Sequence, residues 1–396
     1  MKFYDFVIAG AGCSGLSLAT SLAKANLKQS ILLIDKNIHT NQDKTWCFWD
    51  TANSSVLPFT TTVWQNLTFY SYNYEKKEKI LPFNYVGVKS EDFYKYSYEV
   101  LKNAKNIDIV EENIECIYGL ESGACLETET QKFYCRYLFN STSISSGHFK
   151  RPSSYSSLKQ HFQGWFIKIE KPVFEKNTAT FMDFRTEQHQ DVRFFYVLPY
   201  SDREALIEYT IFSKQLLADE AYDEQIEKYI QETLQIEKFT IIEKEKGVIP
   251  MEFIHPDTTH NHIIPIGIVG GALKPSTGFA FSLIQKQVDQ IIKSIQSDNL
   301  HLFKKRIQIR FSFYDTILLH LLQKKEINKS AIFISLFKGN NIATILTFLS
   351  EKTGIFGEMK IFSTLPVKVF ISALIEIYWP KIIKDKSYSP IYQTIR

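Results

Sequence analysis

The chain has 396 residues, 44% hydrophobic and 22% charged, so it has length for more than one domain; this make-up excludes a disordered, collagen-like or multi-spanning membrane protein. Lys plus Arg number 46 against 43 Asp plus Glu, a net charge of +3, which supplies no basic footprint for nucleic acid. The five cysteines, Cys13, Cys47, Cys116, Cys125 and Cys135, lack CxxC spacing, so neither a disulfide framework nor a zinc site is indicated and a reducing compartment is expected.

Met1–Phe6 lacks a basic segment followed by a long apolar one, which leads to the expectation of a cytoplasmic protein. No apolar run reaches the ~20 residues of a membrane span. Val367–Trp379 is too short and is interrupted by Lys368 and Glu376, so any membrane contact is expected to be peripheral.

Phe6-Val7-Ile8-Ala9 predicts a strand that enters Gly10-Ala11-Gly12-Cys13-Ser14-Gly15 and then a helix, with Leu16, Leu18, Ala19, Leu22 and Ala23 at helical spacing. Ile31–Ile34 predicts a second strand ending in Asp35. Together these form a dinucleotide-binding pattern: Gly10 for the turn, Gly12 for approach of a pyrophosphate, Gly15 for close packing of helix on strand, and Asp35 for a ribose. An acid at that position favours FAD or NAD over NADP. The polar loop after Asp35, where a prompt βαβ continuation would otherwise stand, favours FAD.

Further along, Lys44-Thr45-Trp46-Cys47-Phe48-Trp49-Asp50 is an aromatic cluster, either flavin-facing or a core patch. Residues 66–88 alternate as strands, Ser90 is a candidate N-cap for a helix carrying Phe93, Tyr96 and Val100, and Ile107–Val110 and Tyr137–Asn140 predict further strands. Between about 155 and 260, long alternating runs such as Trp165–Glu170, Arg193–Pro199 and Glu204–Thr210 predict an inserted antiparallel sheet, followed by a helix near Tyr222–Leu234. Gly267, Gly270 and Gly271 then lead through Lys274-Pro275-Ser276-Thr277-Gly278-Phe279 into an amphipathic helix. That helix start is either a cofactor-facing N-terminus or one capped by Ser276 or Thr277. The remainder, rich in apolar helical runs flanked by lysines, is either core or a membrane-surface layer. The expected fold class is therefore α/β, with a Rossmann-like FAD-binding domain in residues 1–150 and 261–300, a substrate-domain sheet in 151–260, and a helical region in 301–396.

No Ser/His/Asp series, HExxH or CxxC pair is present, so acids on apolar strands are the candidates for chemistry. The segments Asp5–Gly15, Lys44-Thr45-Trp46, Ser90-Glu91-Asp92-Phe93-Tyr94, Gln160-His161-Phe162-Gln163-Gly164-Trp165, Met182-Asp183-Phe184-Arg185, Leu206-Ile207-Glu208-Tyr209-Thr210, Gly247-Val248-Ile249-Pro250 and Gly270–Phe279 together resemble the flavin-dependent lycopene cyclases of carotenoid biosynthesis, specifically the bacterial beta-cyclase type. The resemblance implies a redox-neutral, acid-catalysed closure of beta-ionone rings on lycopene. It implies FAD in its reduced form, with NAD(P)H as the priming reductant, and peripheral association with the inner membrane. Glu208 maps onto the acid–base glutamate, while Tyr209 stands where the family carries a second acid. Gly10, Gly12, Gly15, Asp35, Lys44, Gly270, Gly271, Pro275, Thr277 and Gly278 map to the cofactor, and Trp46, Phe48, Trp165, Tyr209 and Phe279 to the substrate. The competing expectations are a flavin monooxygenase or isoprenoid reductase that consumes NAD(P)H, and a non-catalytic flavoprotein. Monooxygenases of this fold usually carry Gly-Asp where this chain has Gly270-Gly271.

Overall fold

The computed structural model describes residues 2–38, 44–51, 57–144, 158–300 and 309–386, with side chains as far as Tyr378 in the last segment. The polar linker after Asp35 and the expected domain boundary at 150/151 lie largely or wholly outside the described residues. In chain order the first segment forms β1 (Phe3–Ala9), α1 (Cys13–Lys24), β2 (Ile31–Asp35), β3 (Thr45–Thr51), β4 (Thr62–Trp64), β5 (Asn66–Ser71), β6 (Tyr74–Lys79) and β7 (Phe83–Lys89). It continues with α2 (Ser90–Lys102), β8 (Ile107–Glu111), β9 (Ile114–Leu120), β10 (Gly123–Thr128) and β11 (Lys132–Asn140). The middle of the chain gives β12 (Lys159–Lys168), β13 (Thr178–Asp183), β14 (Val192–Pro199), β15 (Glu204–Ser213), α3 (Asp219–Lys228) with a π-helical turn Tyr229–Thr233, and β16 (Thr240–Pro250). It closes with β17 (Ile263–Pro265), α4 (Phe281–Gln296), α5 (Ile309–Gln323), α6 (Lys329–Gly339), α7 (Ile342–Leu349), α8 (Ile355–Ser363) and α9 (Val367–Lys386).

The first sheet has the order β8-β2-β1-β11-β10-β9, with β17 beside β11, and its β8-β2-β1-β11 portion is parallel. Ile31–Ile34 and Val7–Ala9 are fully buried because helices and the antiparallel β9–β10 layer cover both faces. Helix α1 packs against α2 and α4, so Leu16, Leu18, Ala19 and Leu22 are all removed from solvent. This is the α/β, Rossmann-like fold anticipated from the glycine turn.

The second sheet, β16-β12-β15-β14-β13-β5-β6, differs in detail from the expectation. Its edge is supplied by residues 66–79 of the first segment, and β5 runs parallel to β13, so the sheet is mixed and drawn from two stretches of chain. Buried Leu67 and Phe69 on β5 give the reason, since they complete an apolar face that β13 alone would leave open. One face packs on α3 and its π-helical turn, the other on β3, β7 and the helices α5, α6, α7 and α9. A small β3-β7-β4 sheet sits between this second sheet and the nucleotide-binding half.

Helix starts also depart from the sequence reading. Helix α2 begins at Ser90 with Lys89 as N-cap, and the Ser90 hydroxyl accepts the Lys44 N–H at 3.1 Å. Helix α4 begins only at Phe281, without a side-chain cap, so neither Ser276 nor Thr277 caps it.

Phe69 is fully buried and stacks on Phe337 of α6 with ring centroids 4.3 Å apart, tying the sheet to the helical layer. Phe69→Ala should cost about 3–5 kcal/mol of stability, read by denaturant unfolding, as expected for a large aromatic lost from a packed core.

Candidate active site

The nucleotide end of the site is built from backbone. Gly10 holds a φ of +97°, and a Cβ there would meet the Ser141 Oγ at 2.3 Å. A Cβ on Gly15 would lie 1.8 Å from the Gly10 carbonyl oxygen, so this glycine lets α1 sit on its own turn. Gly12 has nothing within 4 Å of the corresponding position and caps α1 without a side-chain bond, leaving open space over free N–H groups. Asp35 at the end of β2 accepts the Ala11 N–H at 2.6 Å, which fixes its carboxylate beside that space. The second glycine cluster closes on the same helix: a Cβ at Gly267 (φ +65°) would strike Ser14 Oγ at 2.0 Å, and the Gly267 N–H donates to Gln287 of α4. An open cradle at an uncapped N-terminus, an acid on the second strand and a second uncapped helix, α4, fit FAD by their donor chemistry.

The chemical end is built on the inner face of the second sheet. Strand alternation divides β15 sharply. Glu208 lies on the side of Leu206 and Phe212, opposite Tyr196 of β14 and Gly164 of β12. It accepts the Thr210 hydroxyl at 2.6 Å, and desolvation pushes its carboxyl up to about 7. Gly164 separates it from Glu245 of β16, the residue paired with Gly164 on the other side. Glu245 is 6% exposed, accepts the Thr45 hydroxyl on Oε2 at 2.7 Å and is pushed up to about 8, first by burial and then by the negative charge of Glu208. Cys47 of β3 and Tyr85, Tyr196 and Tyr200 surround the pair, all held well above their ordinary proton affinities chiefly by burial.

Phe279 and Gly278 bring the second glycine segment onto this face. Gly278 has φ +71°, and a Cβ there would meet Gln160 Oε1 of β12 at 2.6 Å. Phe279 packs edge-on to Trp49 at 4.4 Å and parallel to Phe181 at 6.3 Å, while Phe181 meets Tyr196 edge-on at 5.8 Å. Beyond them lies an apolar cavity of about 100 Å³, lined by Phe181, Tyr196 and Phe279 from the sheet side and by Phe311, Phe337 and Phe362 from the helices. A second cavity of about 260 Å³ adjoins it at Phe279, Lys274 and Leu349 and reaches the start of α4. The Lys274 ammonium between them is neutralised by Asp315 and Glu351, each at 3.0 Å.

The structure redistributes the expected substrate residues. Phe279 lies at the cavity. Trp165 and Tyr209 do not, because the side-chain period of two sends both to the outer face of the sheet. There Trp165 donates to Asp223 of α3 at 2.8 Å, and Tyr209 packs in a core with Phe195, Tyr222 and Tyr229. Trp46 and Phe48 take the side of β3 away from Glu208. They point to the nucleotide-binding side of β3, against Phe281 at 5.8 and 4.8 Å, and only Phe48 reaches the larger cavity. Thr45, Cys47 and Trp49, on the other side of β3, are the residues near Glu208 and the apolar cavity. Lys44 is exposed beside α2. Pro275 and Thr277 lie in the loop ahead of Phe279, Thr277 lining the apolar cavity. Glu245 went unnoticed because charged residues on both sides, Lys244 and Lys246, give its strand the look of a solvated edge; the alternation Glu243, Glu245, Gly247 against Lys244, Lys246 was the available signal.

The family model described as Lycopene cyclase protein matches residues 5–375. No curated protein matches the chain. Among solved structures, a geranylgeranyl bacteriochlorophyll reductase-like protein from Thermoplasma acidophilum superposes with a TM-score of 0.62 at 12% identity, covering 97% of this chain and 98% of its own. A flavoprotein/dehydrogenase from Cytophaga hutchinsonii gives 0.59 at 12% identity, over 95% and 100%. A point mutant of the halogenase PltM in complex with FAD gives 0.55 at 9% identity, over 93% and 85%. At these identities the likeness is one of fold, that of the FAD-binding flavoproteins.

Two outcomes test the site. Asp35→Ala should lower the flavin-to-protein absorbance ratio of the purified chain severalfold while leaving its circular dichroism unchanged. For Glu208, a carboxyl whose folded proton affinity is raised destabilises the fold increasingly as pH climbs from its ordinary value to about 7. Glu208→Gln should therefore match or exceed the parent's melting temperature at pH 8, with the difference shrinking toward pH 5.

Proposed function

The chain belongs to the lycopene cyclase family, and from that premise we propose that it is a lycopene beta-cyclase. The observation that carries the reading is Glu208, a buried carboxyl whose proton affinity is raised to about 7 on an aromatic sheet face, opposite Tyr196, which lines the apolar cavity. An acid of this kind donates a proton near neutral pH, where an exposed carboxylate has none to give. Proton transfer to the terminal double bond of the linear polyene leaves a tertiary cation. The neighbouring double bond closes on it, and loss of a ring proton completes an isomer of unchanged mass. Phe181, Tyr196, Trp49 and Phe279 present ring faces and edges around this position, and ring faces attract a developing cation without adding a nucleophile. Reduced FAD in the cradle of Gly12, Asp35 and the α4 N-terminus would supply negative charge beside the cation, with NAD(P)H serving to reduce it.

The same reading includes contact with the inner-membrane surface. Among the described residues no single helix is long and apolar enough to cross a membrane. On α8 and α9, however, Ile355, Phe356, Met359, Val367, Ile371 and Ile375 are exposed, Phe356 at 89%, and exposed Lys352, Lys360 and Lys368 flank them. Inward-facing Ile361, Phe362, Leu365 and Phe370 of the same two helices and their link line the apolar cavity. On this reading a hydrocarbon dissolved in lipid enters from this face toward the cavity, with basic side chains at the headgroups.

Expression in lycopene-accumulating bacterial cells should yield gamma- or beta-carotene at unchanged mass, read by chromatography with mass detection, and Glu208→Gln should abolish this while retaining FAD. Unchanged lycopene in cells that contain the flavin-loaded chain would reject the reading in favour of an oxidoreductase. For the membrane face, the pair Phe356→Glu and Ile371→Glu should sharply reduce co-flotation with phosphatidylglycerol vesicles without changing flavin content; undiminished flotation would exclude this surface.

A further inference from the structure

Glu245 is a second buried carboxyl on the face that carries Glu208. Gly164 lies between them in register, and the position a Gly164 Cβ would take is 2.8 Å from Leu206 Cδ1, 3.4 Å from Glu245 Cγ and 3.5 Å from Glu208 Cβ, so the two glutamates flank one gap that Leu206 closes on its third side. Glu245 Oε2 is held by Thr45, but Oε1 is buried and has no hydrogen-bond donor among the described residues. A buried carboxylate oxygen without a partner is expensive to maintain unless a proton occupies it during the working cycle.

We propose that Glu245 is the proton acceptor of the cyclisation, the base that complements Glu208 as the acid. The assignment rests on the cyclase reading above. The Glu208 O–H bond breaks as a C–H bond forms at the terminal alkene carbon. The neighbouring double bond supplies the electron pair of the new ring C–C bond, and a ring C–H bond then breaks, its electron pair becoming the ring double bond and its proton passing to Glu245 Oε1. Return of that proton from Glu245 to Glu208 restores both groups, so one proton serves each cycle and no oxidant or reductant is consumed.

The other titratable groups facing the pair do not fit the acceptor role. Cys47 on β3, Tyr85 on β7, and Tyr196 and Tyr200 from β14 and its end start from proton affinities well above neutrality and burial pushes them higher still, whereas Glu245 stays within about a unit of Glu208. Lys89 at the end of β7 is a cation engaged over the Phe166 and Tyr200 rings at 4.7 and 5.0 Å. Glu243 and Glu91 lie farther out, Glu243 paired in register with Phe166 two residues along β12 from Gly164. Glu208 and Glu245 stand on either side of β12 with proton affinities of about 7 and about 8, so one proton exchanges between two nearly matched sites and the form carrying it on Glu208, with Glu245 empty, is populated.

The test uses the FAD-loaded, reduced holoenzyme with lycopene in liposomes. Wild type should show a bell-shaped pH profile whose acid limb marks double protonation of the pair and whose alkaline limb marks loss of its last proton. Glu245→Gln keeps an oxygen for Thr45 and should lower kcat on the order of 100-fold with KM and flavin content unchanged. Its residual activity should lack the acid limb, and the alkaline limb should move to lower pH because Glu208 no longer sits beside a negative charge. A kcat within threefold of wild type and an unmoved profile would overturn the assignment. Thr45→Val provides a check should the first variant lose its flavin: removing a donor from Glu245 raises its proton affinity, so the acid limb should move to higher pH, and a stationary limb rejects the role. A wild type that leaves lycopene unchanged would reject the cyclase reading itself, a result separate from an active wild type with an unaffected Glu245→Gln.

Discussion

Keeping two carboxyl groups dry on one face of a sheet is the constraint around which this molecule is arranged. A strand glutamate left in water has an ordinary proton affinity and no proton to give at neutral pH. Here the water is excluded by parts drawn from three places in the chain: β3 and β7 from the first segment, the loop ending in Phe279 from the return segment, and the C-terminal helices. Each of those parts has another attachment. The loop continues into α4, whose neighbour is α1, and β3 is shared between the two major cores. Nucleotide binding and the acid face are thus coupled by covalent continuity over a few residues, and a displacement of the glycine cluster would open the acid face to water.

Strand β3 makes the coupling concrete. Its even positions, Trp46 and Phe48, stack on Phe281 at the start of α4, while its odd positions, Thr45, Cys47 and Trp49, reach Glu245, the surroundings of Glu208 and Phe279. Both cores therefore grip one strand from opposite sides. Such a strand resists slippage, because a shift by one residue would exchange aromatic and polar side chains between the two environments. The hydroxyl of Thr45 and the ring of Trp49 consequently hold their places at the site to the accuracy of the sheet, without any loop of their own.

Much of the nucleotide-binding half was legible because its constraints are local. A strand, a glycine turn, a helix and an acid at the end of the next strand follow one another within 31 residues, and each glycine has a backbone reason visible at short range. The acid face was only half legible. Glu208 stood out as a charge on an apolar strand, whereas its neighbours depend on which way β3, β12 and β16 face, and that is fixed by pairing between residues up to 200 positions apart. Alternation can be read along one strand, but which of its two faces turns inward is decided by the partners. The aromatic residues Trp46 and Trp165 lie in motifs shared with the family, but the packing of β3 and β12 turns their side chains to the nucleotide-binding side and the outer sheet face respectively.

Tyr209 shows the same rule on the strand that carries Glu208. An acid directly after Glu208 could not share its environment, because successive side chains on a strand emerge on opposite faces. Position 209 instead meets Phe195, stacked at 4.7 Å, and the Arg193 guanidinium, which donates to the tyrosine hydroxyl at 3.4 Å beneath the helix α3 layer. A carboxylate there would pair with Arg193 and serve the outer core, so its replacement by tyrosine leaves the Glu208 face untouched. The position from which a second carboxyl faces Glu208 is a cross-strand one, and the glycine at 164 leaves room there for Leu206 Cδ1 and for the stems of Glu208 and Glu245. The acid face is therefore completed laterally across the sheet, and it is the register of β12 with its two neighbours that determines whether the chemistry is possible.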